Sequence, residues 1–131
     1  MNKLILCEGA TDAILLSYYL ERTAGWKFVR QPPQGVSIRA TEQNEEVTWY
    51  KKHNDYLLIC AVGGKDNFGK FFDDKIQKPL VMSDAFEKIA IVTDRDNREV
   101  SEIETEASAF LKVPCGTIKN NQWNDCSYTN K

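Results

Sequence analysis

Four acids stand where apolar runs end. Leu4-Ile5-Leu6-Cys7 leads into Glu8, and Asp12 follows four residues later. Ile89-Ala90-Ile91-Val92-Thr93 leads into Asp94, and Asp96 comes two residues on. In an extended chain residues i and i+2 share a face, so Asp94 and Asp96 project together if the strand runs through them. Two carboxylates held that close are costly unless a proton or a cation lies between them. If the two strands are neighbours, four carboxylates converge. Hard oxygen ligands in such number suit Mg²⁺ or Mn²⁺. Ions of this kind suit phosphodiester chemistry, where they activate water and stabilise the leaving oxygen.

Glycines and one lysine complete the set. Gly9 is expected to let the chain turn sharply from Glu8 into a helix. Gly63-Gly64, after another apolar run, is expected to let a phosphate approach the backbone, with Lys65 meeting its charge. Each of these residues has a simpler reading when taken alone. An acid at a strand's end is commonly the cap of the next helix, and Gly-Gly is commonly a turn. What gives the pattern weight is its order: strand then E-G-x-x-D, strand then G-G-K, strand then D-x-D.

The elements that must hold these residues follow from periodicity. Leu4–Cys7, Tyr56–Val62 and Lys88–Thr93 read as buried strands. Thr11 is expected to cap a helix, with Asp12 favourable in its first turn. In that helix Ile14, Leu15, Tyr18 and Tyr19 form the apolar face, and Ala24-Gly25 ends it. Phe68, Phe71, Phe72 and Ile76 have helical spacing, and Pro79 closes that segment. Val100–Leu111 reads as a third helix. Trp26–Val29 and Val36–Ile38 read as short strands around the turn Pro32-Pro33-Gln34-Gly35. Thr41–Asp55 reads as a helix or a surface loop. A last short strand is expected at Gly116–Lys119, before a polar tail at 120–131. Strands alternating with helices imply an α/β fold with a mainly parallel sheet of about four strands and helices on both faces. Ligands of such sheets sit outside the carboxyl ends of the strands, where Glu8, Gly63-Gly64 and Asp94-Asp96 all fall.

Bulk properties restrict the function classes. The chain has 131 residues, 42% hydrophobic and 27% charged, which fits one globular domain over 1–131. Net charge is -2, which argues against a nucleic-acid-coating protein. It leaves room for a nucleic-acid substrate met through a metal. No apolar run reaches the length of a membrane span, and no leader segment is visible, so a cytoplasmic protein is expected. The four cysteines, Cys7, Cys60, Cys115 and Cys126, are widely spaced and do not suggest a zinc site. Cys7 and Cys60 lie in apolar runs and read as small buried hydrophobes. His53, the single histidine, lies in a polar run and reads as a surface residue.

Competing motifs fail on their spacing. An EF-hand loop starting at Asp94 would need Gly at its sixth position and Glu at its twelfth, where Glu99 and Thr105 stand. Neither a dinucleotide fingerprint nor a P-loop is present. In haloacid-dehalogenase-like phosphatases the D-x-D follows the first strand, whereas here it follows a late one. Glycosyltransferases with D-x-D usually have much longer domains.

The order of motifs resembles the Toprim domain, the metal-binding module shared by topoisomerases, bacterial primases, recombination mediators and OLD-family nucleases. Glu8-Gly9 in "LILCEGATDAILL" matches the glutamate and glycine after that family's first strand. Asp94 and Asp96 in "IAIVTDRDN" match its D-x-D. Glu8 with Asp12, and the segment "AVGGKDNFGKF", look most like the OLD-type branch, and the likeness spans about 3–119. The resemblance implies that Asp94 and Asp96 bind Mg²⁺ and that Asp12 completes a second metal position. It implies that Glu8 binds a metal or transfers a proton. The implied activity is phosphoryl transfer on nucleic acid, DNA before RNA, with a homodimer or a partner ATPase as company. Departures from the family pattern are plain. No ATPase motif is present, and only Lys119, Asp125 and Lys131 are late candidates for the further basic and acidic residues of OLD-type enzymes. The alternatives are a metal-dependent nucleic-acid-binding module without catalysis and a D-x-D phosphatase.

Overall fold

The computed structural model describes residues 2–77, 86–93, 99, 101, 102 and 105. The chain divides into two compact units, Met1–Thr93 and Asp94–Lys131. In the second unit Ser101, Glu102 and Thr105 are helical, as the 100–111 periodicity predicts, and the Thr105 hydroxyl donates to the Ser101 carbonyl at 2.9 Å. The strand expected at 116–119, the tail, and Asp94 and Asp96 lie outside the described residues.

The first unit is an α/β sheet with five described strands: β1 (Asn2–Cys7), β2 (Lys27–Val29), β3 (Glu46–Lys52), β4 (Asp55–Ala61) and β5 (Phe86–Val92). Their spatial order is β2-β3-β4-β1-β5. β1 runs parallel to both β4 and β5, and β3 runs antiparallel to β2 and β4. The sheet is therefore mixed rather than mainly parallel, with a parallel core of the three strands the sequence marks as buried. The additional strand is β3, in the segment expected to be helix or loop. Its pattern, Val47 and Trp49 on one face against Thr48 and Tyr50 on the other, is that of a strand. Charged neighbours on both sides obscure it. A two-residue turn, His53-Asn54, joins β3 to β4, and His53 takes a left-handed φ of 54° there. The turn expected at Pro32-Pro33-Gln34-Gly35 forms one residue later, at Pro33-Gln34-Gly35-Val36, closed by the Val36 N–H on the Pro33 carbonyl at 3.2 Å, with Gly35 at φ 84°. Val36 and Ile38 bury their side chains without joining the sheet.

Helix α1 (Ala10–Ala24) connects β1 to the antiparallel part of the sheet. It ends at Gly25, φ 76°, where the Trp26 N–H reaches back to the Leu20 carbonyl at 3.3 Å. Its inward face is Ala13, Leu16, Leu20 and Ala24, packed on Cys7, Leu57, Ile59, Ala61 and Tyr50. The face expected from the sequence, Ile14, Leu15, Tyr18 and Tyr19, is exposed instead. The helix carries two apolar stripes, and the sheet takes the one with the two small alanines.

From β4 the chain enters a 3-10 turn (Lys65–Asn67), then α2 (Phe68–Phe71), then a π-helical stretch (Phe72–Gln77). Phe68, Phe71, Phe72 and Ile76 are buried, as their spacing predicts. β4 lies on one side of β1 and β5 on the other, so the two parallel crossovers travel in opposite senses. The right-handed rule for parallel crossovers predicts α1 and the 65–77 helix on opposite faces of the sheet. Leu4, Leu6, Leu58 and Cys60 point to the face that α1 leaves uncovered, and all are fully or almost fully buried. Among the described residues no helix is long and apolar enough to cross a membrane.

Candidate functional site at the carboxyl edge of β1

The strand order reverses at β1, because the chain leaves it toward β4 and later returns to its other side as β5. Such a reversal opens a crevice outside the carboxyl ends of the strands. Glu8 is the first residue past β1 and stands at that place.

Glu8 is held from two directions. Past the end of the β1–β4 ladder, the Val62 N–H donates to the Cys7 carbonyl at 2.9 Å. The Gly63 and Gly64 N–H groups then both donate to the Glu8 carbonyl, at 3.0 and 2.9 Å. This double bond needs the backbone of Gly63 at φ 87° and of Gly64 at φ 139°, values that other residues rarely adopt. A Cβ on Gly63 would also meet Asn44 at 3.3 Å. On the opposite side the register pairs Cys7 with Val92, which sets Glu8 beside Thr93, and the Thr93 hydroxyl donates to the Glu8 carboxylate.

Asp12 sits one turn into α1, and its Oδ2 accepts the Gly9 N–H at 3.3 Å. The N-cap of the helix is Gly9, not Thr11. Gly9 has φ -141° and ψ 171°, extended backbone open to any residue, so the expected conformational role of this glycine is not met. A side chain there would meet nothing within 4 Å, which leaves the backbone at the mouth of the site bare.

Glu8, Gly9, Asp12, Gly63 and Gly64 line one pocket of about 470 Å³, together with Asn44, Glu45 and Glu46. Five of the residues singled out in the sequence thus come together. Lys65 is exposed and does not line the pocket. The Gly63 and Gly64 amides are committed to the Glu8 carbonyl, so a phosphate at this loop must be met by other donors. Asp94 and Asp96 lie outside the described residues.

Three residues were not visible as site residues in the sequence. Glu46 opens β3 and pairs in register with Ala61, so the antiparallel hairpin brings it to the carboxyl end of β4. Thr93 is a site residue through its bond to Glu8. Asn44 forms the wall against Gly63. Recognising β3 as a strand paired to β4 would have revealed Glu46. Thr93 carried only its position beside Asp94.

The Cys7 thiol is pushed up to about 12, first by burial, then by the negative charges of Asp12, Glu46 and Glu8. Glu45 behaves differently. Burial opposes its ionisation, but the Thr41 and Glu42 N–H groups at 2.9 and 3.1 Å and the Lys75 ammonium at 3.5 Å outweigh it and hold the carboxyl below its usual range. Glu45 is thus a tie between the 41–45 turn and the 65–77 helix. Among the described residues no three His, Cys, Asp or Glu side chains stand close enough to hold a metal by themselves. The donors that Glu8 and Asp12 offer are carboxylate oxygens, the type a hard divalent cation takes.

No protein-family model matches the chain, and no curated protein matches it significantly. Among solved structures, the chain is similar to the hypothetical protein PH0156 from Pyrococcus horikoshii OT3. The TM-score is 0.63 and the identity 23%, over 91% of this chain and 49% of the other. The likeness shows the fold alone, and the chain spans about half the length of that protein.

Proposed function

We propose that this chain is a Toprim-type, Mg²⁺-dependent enzyme acting on phosphodiester bonds of nucleic acid, in the manner of an OLD-type nuclease. The observation that carries the reading is the place of Glu8. It stands at the carboxyl end of β1, where the strand order reverses, with Asp12 one helical turn away on the same pocket. The parallel core β4-β1-β5 supports a Toprim-like arrangement.

Glu8 and Asp12 would hold the cation together with Asp94 and Asp96, the acids that follow β5 in sequence. A bound Mg²⁺ would supply charge neutralisation at the phosphate and an activated water. The protein's own part is orientation. The Thr93 hydroxyl and the Gly63-Gly64 amides fix the Glu8 carboxylate and carbonyl separately, so the side chain can accept a proton or a ligand without moving its backbone. The bare backbone at Gly9 leaves room for a phosphate at the mouth of the pocket. Among the described residues lining it, none is Lys or Arg, so charge complementarity to nucleic acid would come with the metal.

Calorimetry with Mg²⁺ and Mn²⁺ on the wild type, Glu8→Gln and Asp94→Ala tests the site, followed by cleavage assays on DNA and RNA. Metal binding and cleavage in the wild type, both lost in the variants, support the reading. Full metal affinity in both variants refutes it. The same lack of Lys and Arg on the pocket favours one second reading, a metal-dependent binding module whose partner does the chemistry. Single-turnover assays that give nucleic-acid binding without cleavage in either metal would select it.

A further inference from the structure

Helix α1 carries an apolar stripe that the sheet does not take. Ile14, Leu15, Tyr18 and Tyr19 are 52%, 64%, 58% and 64% exposed. With a turn every 3.6 residues they lie together on the side of the helix away from Ala13, Leu16, Leu20 and Ala24. Large aromatic side chains bury about 150–250 Å² each, so four large residues exposed to this degree present on the order of 500 Å². That matches the largest apolar patch on an ordinary monomer, and patches of that size are often functional.

We propose that this stripe is a two-fold interface between two copies of this chain, packed α1 against α1 in antiparallel fashion. The pattern is its own complement. An antiparallel pairing about the centre of the stripe sets Ile14 against Tyr19 of the second copy and Leu15 against Tyr18. Every contact then joins a branched aliphatic to an aromatic, and the two-fold axis repeats each pair. The helix dipoles agree with this orientation, since antiparallel helices oppose them. In the same register Arg22 of one helix comes opposite Thr11 of the other, one residue from Asp12, and Glu21 comes opposite Asp12. The area agrees as well: both copies together would bury on the order of 1,000 Å², the lower bound of a specific interface. A parallel pairing would set tyrosine on tyrosine and place like helix ends together.

The test is sedimentation velocity of the full chain across micromolar concentrations. The expected result is a dimer. Leu15→Glu and Tyr18→Lys should each raise its dissociation constant about thirtyfold or more. Both positions are exposed in the single chain, so the circular dichroism spectrum should not change, and the Tm should fall only by what loss of the dimer accounts for. Ile14→Ser and Tyr19→Ser, which add no charge, should weaken the dimer in the same direction. Mixed in equal amounts, the Leu15→Glu and Tyr18→Lys variants should associate with each other, because the antiparallel register sets position 15 of one copy against position 18 of the other, acid against amine. A monomeric wild type overturns the proposal and leaves the stripe to a different protein. A dimer that none of these substitutions weakens overturns it too. Loss of the dimer without recovery on mixing overturns the antiparallel register.

Discussion

Thr93 matters because it is the donor on the Glu8 carboxylate. Thr93→Val keeps the shape and removes the hydroxyl, whereas Thr93→Ser keeps the donor. If Glu8 acts as proposed, Thr93→Val should lower the metal-dependent cleavage rate about tenfold while Thr93→Ser stays near the wild type. A pH–rate profile that shifts in Thr93→Val and not in Thr93→Ser would identify a positioning role. At Gly64 the argument concerns the backbone alone. Its φ of 139° lies in a region that L side chains rarely adopt, so Gly64→Ala should cost about 1–3 kcal/mol, read as a lower urea midpoint at unchanged slope. Much of this site was legible residue by residue. Type and spacing point to Glu8, Gly9, Asp12, Gly63 and Gly64, and these five line one pocket. The roles of the glycines were not legible, because they depend on which atoms face each other across two strands far apart in sequence. Gly9 needs no special φ, and the Gly63 and Gly64 amides serve Glu8.

At the scale of elements, the buried strands β1, β4 and β5 and the helical spacing of Phe68–Ile76 were clear from the sequence, because continuous apolar runs and a phenylalanine stripe leave few alternatives. β3 was not, since its alternation covers only a few residues between charged flanks and its partner is what makes it a strand. The buried face of α1 is not legible for a different reason. Periodicity shows that a helix has an apolar side, but two stripes compete here and only the sheet decides between them. The turn 41–45 forms a wall of the pocket and depends on one buried carboxylate. Glu45 is held below its ordinary value of 4.5, so the stability it contributes is present above that pH and is lost as pH falls through the lower folded value. Glu45→Gln should therefore cost about 2 kcal/mol at neutral pH and much less in acid, measured by urea unfolding at several pH values. The two buried thiols act at the alkaline end. Cys7 is raised from 9.0 to about 12, and burial raises Cys60 as well. Stability should be full below pH 9 and fall as pH rises above it, as the unfolded thiols ionise first. At neutral pH the native chain should resist alkylation at both residues, as peptide mapping after iodoacetamide would show.

For the molecule as a whole, charge sets the terms of any encounter with nucleic acid. A chain with net charge -2 and an acidic pocket offers little to a polyanion by itself. Binding to a labelled DNA should therefore be weak in EDTA and strengthen with millimolar Mg²⁺. Its dependence on monovalent salt should be shallow, because few phosphate contacts are made by Lys or Arg. Affinity that survives EDTA and falls steeply with salt would point to a basic surface instead. The edges of the sheet already differ in this respect. At the amino edge Lys3 lies 3.7 Å from Asp55 and 3.8 Å from Glu87, so that acids on two flanking strands share one cation. The carboxyl edge gathers Glu8, Asp12 and Glu46.

The double acceptance at the Glu8 carbonyl bears on how this position tolerates change. Its anchors to Gly63 and Gly64 involve main-chain atoms, which every amino acid supplies. A saturation library at position 8 should thus yield folded variants almost throughout, differing in chemistry alone, whereas a library at position 64 should yield folding failures. The two positions form a natural pair for separating what the site does from what keeps it standing.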